Sequence, residues 1–110
     1  MIDETLKKIE ATIEKACAVP EENRAELQEL LARLKSEVSE LSKTHDEHAH
    51  SIAGFTELSM HEATREEKNK ELLKLSLEGM SSSVQGFEGS HPKLVEIVNR
   101  IAVMLSNIGI

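Results

Sequence analysis

From Leu27 onward, one set of side chains recurs at alternating gaps of four and three residues: Leu27, Leu31, Leu34, Val38, Leu41, His45, His48, Ile52, Phe55 and Ser59. A heptad seam of this kind lets a long helix pack lengthwise against other helices. Two histidines occupy seam positions, and the phase carries on through Ile52 and Phe55. The period predicts a helix from about residue 20 to 63, roughly 60 Å long if it is unbroken. Its weak point is Ser42-Lys43-Thr44-His45-Asp46, a run of poor helix formers with Asp46 available as a second N-cap. A loop there would normally reset the heptad phase. The phase is kept, which favours a continuous helix.

The remaining sequence reads as helix too. Two prolines and five glycines leave few breakers among 110 residues, and the 39% of hydrophobic residues are almost all aliphatic, with two Phe and no Trp or Tyr. A single all-α domain of about four helices follows, at approximately 3–18, 20–63, 69–88 and 91–108, with coiled-coil-like packing and the long helix as a shared spine. Asp3 is the expected N-cap of the first helix, whose apolar line is Leu6, Ile9, Ile13, Ala16 and Cys17. Val19-Pro20 stops that helix, and Pro20 suits the first turn of the next, so the two form an antiparallel hairpin. Polar Thr64 to Asn69 reads as a turn. The third helix presents the seam Leu73, Leu77, Met80, Val84 and Phe87 beside a line of small residues, Gly79, Ser83 and Gly86, suited to close approach by a neighbour. Ser90 is the expected N-cap of the fourth helix, with Pro92 in its first turn. That helix carries Leu94, Val95, Ile97, Val98, Ile101, Ala102, Val103, Met104, Leu105 and Ile108, a stripe wider than one neighbour can cover. It is therefore expected to be central or intermolecular, and a homodimer formed through it is the commonest solution.

Charge narrows the partners. Thirteen basic residues face twenty acidic ones, a net charge of −7, and a surface of that sign without stacking aromatics disfavours nucleic acid. No apolar run reaches the roughly 18 residues that a spanning helix needs, so no membrane partner is expected. The acidic start, Met1-Ile2-Asp3-Glu4, has no signal-peptide core, and the lone Cys17 cannot form an internal disulfide; a cytoplasmic protein is the expectation. Cys17 itself reads as a structural thiol on an apolar face.

Histidines 45, 48, 50 and 61 are the chemistry to weigh. On a continuous helix, Glu47, His50, Gly54, Glu57 and His61 form one stripe, and carboxylates and imidazoles three or four residues apart can reach a common divalent transition metal. Glu47-x-x-His50 also matches the repeating element of di-iron bundles. A di-iron core needs two such elements and two further glutamates, and the other candidate, Glu88-x-x-His91, straddles a helix break. The blander reading of the stripe is a solvated charged face. His45 and His48, in the seam, are expected to be at least partly buried, as register-setting polar residues, as a proton-sensing pair or as further metal-ligand candidates beside the stripe. His91 reads as turn or packing chemistry. Serines 81, 82 and 83 have no His or Lys placed to activate them and read as small packing residues.

Several strings are distinctive as they stand: Ser51-Ile52-Ala53-Gly54-Phe55, His61-Glu62-Ala63-Thr64-Arg65, Leu77-Glu78-Gly79-Met80-Ser81-Ser82-Ser83-Val84, Gly86-Phe87-Glu88, Ser90-His91-Pro92 and the ending Leu105-Ser106-Asn107-Ile108-Gly109-Ile110. They resemble the DUF4404 family of small bacterial all-helical proteins of unknown function. The first half resembles that family's heptad-rich N-terminal hairpin more loosely, so the likeness spans essentially the whole chain. The resemblance implies a bacterial cytosolic protein and supplies no catalytic residue to carry over. The reading on residues alone is a non-enzymatic, self-associating interaction or scaffold protein without a cofactor. The alternative is a metal-binding protein using the His/Glu segment.

Overall fold

Leu27, Leu30, Leu31, Leu34, Val38 and Leu41 return every three or four residues, and all six are buried along one helix. The structure, a computed structural model, describes residues 2–15, 19 and 21–109, with the side chains of 2, 3 and 13–15 excepted. Among the described residues five helices follow one another: α1 (Ile2–Lys15), α2 (Glu21–Ser42), α3 (Asp46–Thr64), α4 (Lys70–Ser83) and α5 (Pro92–Ile108). Among the described residues there is no strand. The capping role of Asp3 and the readings of Ile13, Ala16, Cys17 and Pro20 lie outside the described residues and side chains.

The continuous helix over 20–63 is not what forms. α2 tightens at its end through Lys43 N–H to Glu40 O (3.2 Å) and Thr44 N–H to Leu41 O (3.1 Å), and His45 then leaves helical geometry at φ −135°, ψ 62°. Hydroxyls take part in this ending: Ser42 Oγ donates to Ser39 O at 2.6 Å, the local competition that makes Ser and Thr poor helix interiors. The preserved heptad phase misleads because two faces overlap on α3. Its buried line is Ala49, Ile52, Ala53, Thr56, Ser59, Met60 and Ala63, which shares only Ile52 and Ser59 with the extrapolated seam. His45, His48 and Phe55 are exposed, contrary to the expectation for all three.

α3 is the hub, packed against each of the other four helices. Its buried face is built mainly of Ala, Ser and Thr, so neighbouring backbones can come close without colliding with branched side chains. α1 lies on α3 and α2 with Leu6 and Ile9 buried; α4 pairs with α3; α5 rests on α2, α4 and α3. Leu94, Ile97, Val98, Ile101 and Leu105 of α5 are consequently buried inside the chain. Val95, Ala102, Met104 and Ile108 of the same stripe are only partly buried and Val103 is exposed, so α2, α3 and α4 cover part of its breadth and leave the rest open.

α4 starts at Asn69, whose Oδ1 accepts from Leu72 N–H at 3.0 Å, and ends at Ser83, short of the expected residue 88. Gly86 lies in the turn that follows at φ +94°, a conformation that suits glycine, and not in the expected helical line of small residues. Of that line, only Gly79 allows the expected close approach, because a Cβ there would run into the Phe55 ring of α3. The bundle measures 37 × 24 × 23 Å, far shorter than an unbroken central helix would make it.

Candidate functional site

The two corners of the bundle, between α2 and α3 and between α4 and α5, are built alike. Each has a hydroxyl residue, then a histidine, then the first residue of a helix: Thr44-His45-Asp46 and Ser90-His91-Pro92. His45 and His91 adopt nearly the same backbone, φ −135°, ψ 62° and φ −136°, ψ 62°. In each, the ring Nδ1 hydrogen-bonds the preceding hydroxyl, at 2.8 Å for Thr44 and 2.9 Å for Ser90. Ser90 therefore serves the His91 ring and not the expected N-cap bond.

The corners meet around Phe87, which is buried at 8% exposure. Its ring centroid lies 5.6 Å from His45, 5.4 Å from His48 and 5.6 Å from His91, with interplanar angles of 89°, 78° and 79°. These are edge-to-face contacts, the arrangement favoured by ring quadrupoles. His45 and His48 are 6.1 Å apart, and His45 and His91 6.4 Å. The arrangement can pin the two corners together. Helical spacing gives no reason to connect His91 and Phe87 with His45 and His48; the repeated hydroxyl–histidine pair is the signal in the sequence that does.

The expected metal stripe is spread along an outer face. Glu47, His50 and His61 are exposed and Glu57 is half-buried. His50 Nε2 sits 3.5 Å from Asp46 Oδ1, and His61 Nε2 sits 3.9 Å from Glu62 Oε2. Glu57 and His61 line a shallow depression with Thr12, Gly54 and Leu58. Among the described residues, no three His, Cys, Asp or Glu side chains come together as a metal site. Glu62, by contrast, is buried, and its Oε1 accepts from Arg65 at 3.0 Å.

Serines 81 and 82 are exposed rather than packed, and Ser83 Oγ donates to Met80 O at 2.6 Å. Among the described residues no helix is long and apolar enough to cross a membrane. Two surfaces stand out instead. One is the α3–α4 pair, which carries the exposed side chains Phe55, Leu58, Leu72 and Leu75. The other is a groove of about 680 Å³ along α5, floored by Val95, Val103 and Met104.

These features define an all-helical protein whose distinctive surfaces are apolar faces and an imidazole-ringed corner. Residues 27–110 match the family model described as domain of unknown function (DUF4404), and the chain belongs to that family. The match begins inside α2 and takes in α3, α4 and α5; α1 precedes it. No curated protein and no solved structure matches the chain.

Proposed function

We propose that this chain is a non-enzymatic interaction protein that self-associates as a homodimer through its α3–α4 face. The observation that carries this is the placement of Phe55, Leu58, Leu72 and Leu75, four large apolar side chains each more than a third exposed, on one helical pair. Leu72 and Leu75 are neighbours on α4, one turn short of Gly79, and Phe55 of α3 lies across Gly79. The connection over 65–69 is short, so the helices run antiparallel and Leu58 falls beside the Leu75 turn. Contiguous apolar surface of this kind marks contact sites in soluble proteins. The sequence points to the last helix as the dimer contact; with five of the ten apolar residues of the α5 stripe buried within the chain, the α3–α4 face is the better-supported one. Light scattering is expected to give at least twice the 12.2 kDa chain mass, and Leu72→Glu with Leu75→Glu to return it to one chain. A wild-type protein that stays monomeric over a wide concentration range defeats the proposal.

The alternative, a divalent transition metal held by the His/Glu segment, has no three ligands brought together for it among the described residues. A fall in melting temperature in EDTA at constant pH, removed by Glu47→Gln or His61→Ala, would favour that alternative. The interaction reading expects no response to EDTA.

A further inference from the structure

The groove along α5 is a second apolar surface, distinct from the α3–α4 face, and its rim is charged. Val95, Val103 and Met104 line its floor, and Val103 is 61% exposed. Glu26 from α2, Glu88 from the preceding turn and Glu96 from α5 stand around it. Arg100, the one cation lining it among the described residues, is held by Glu26 at 2.9 Å. Three carboxylates against one guanidinium leave two net negative charges at the rim. We propose that this groove docks a cationic amphipathic helix of a partner protein.

Pro92, Val95, Asn99 and Val103 follow one another at gaps of three and four, so the groove runs lengthwise beside α5. A second helix laid there presents its own apolar side chains at the same period, the helix-in-groove mode of recognition. Met104 adds an unbranched, adaptable contact. Lysines or arginines flanking the incoming apolar stripe meet Glu88 and Glu96. Among the described residues, Glu88 accepts only from the Gly86 N–H, and Glu96 borders Arg33 and Lys93 on its other side but forms no salt bridge. Charge also selects against a second copy as occupant: two such grooves face to face oppose carboxylate to carboxylate. The proposal rests on the interaction reading but uses a different surface from the proposed dimer.

The test titrates the full chain into a fluorescein-labelled synthetic helix of leucine and lysine in amphipathic order, read by anisotropy at moderate salt. Its comparators are the same residues scrambled and a leucine–glutamate helix of the same pattern. Saturable binding is expected for the leucine–lysine helix, weaker by about tenfold or more for both comparators. Val103→Glu and Glu96→Lys, both at exposed positions, are each expected to weaken it by a similar factor, with helical content unchanged by circular dichroism. Leu72→Glu with Leu75→Glu is expected to leave peptide binding intact, which separates this proposal from the dimer. Absence of binding overturns the proposal. So does equal binding of the scrambled peptide, which would show bulk charge attraction, or equal binding of the acidic helix. A change in the mass of the chain alone on Val103→Glu would put a second copy in the groove and overturn it as well.

Discussion

At Gly79 the backbone of α4 comes so near α3 that the Phe55 ring occupies the space a side chain would need. Gly79→Leu is expected to lose about 1–3 kcal/mol in urea unfolding, the usual cost of overpacking, although leucine is the better helix former. Phe55→Ala in the same chain should recover much of that loss, because it empties the contested volume; a Gly79→Leu protein more stable than wild type would mean that the ring simply swings aside. Ser59 presents the opposite case. It is fully buried, and its hydroxyl has no hydrogen-bond partner among the described residues. Ser59→Ala removes an unsatisfied polar atom and is expected to stabilise the fold by about 1–3 kcal/mol, measured the same way. Gly86, at φ +94°, meets nothing that would obstruct a Cβ, so only backbone strain opposes a side chain. Gly86→Ala should cost about 1–2 kcal/mol on that account.

Among the elements, the joint between α2 and α3 is the instructive one. His45 and His91 share a backbone conformation, and the residue after His91 is proline at the start of α5. Asp46 occupies the equivalent place on α3. Asp46→Pro should therefore shift stability by less than about 1 kcal/mol, whereas proline inside a continuous helix costs about 3 kcal/mol. A melting curve of that variant distinguishes a joint from an uninterrupted rod. The seams of α2, α4 and α5 are readable in the sequence because burial there follows simple periodicity in Leu, Ile and Val. Ser42-Lys43-Thr44 marks the joint, but the heptad count outweighs it. That count does not register that α3 buries a line of small residues one position removed from the extrapolated seam. Alanine, serine and threonine carry little hydropathic signal, so the true face of the hub helix is the hardest to read.

On the scale of the whole molecule, breaking the central helix turns an elongated hairpin into a bundle only 37 Å long, with a radius of gyration of 12.9 Å over Cα atoms. Small-angle scattering from the Leu72→Glu, Leu75→Glu protein is expected to give a value close to that for the isolated chain. The same folding-back explains why the candidate site is hidden in the sequence. His45 and His91 are separated by 46 positions, and no spacing rule within one helix brings them together; only the meeting of two corners does. The histidines of the outer stripe, by comparison, are recognisable as a set but not as scattered. Phe87 gives the imidazole corner one further property. The π electrons of its ring circulate in a magnetic field and displace the resonances of protons held above or beside it. With no Trp or Tyr present, that shielding acts in a quiet background. The ring protons of His45, His48 and His91 should therefore resonate away from those of His50 and His61. Their collapse onto the common position, followed residue by residue, would time the parting of the two corners during unfolding without any label being attached.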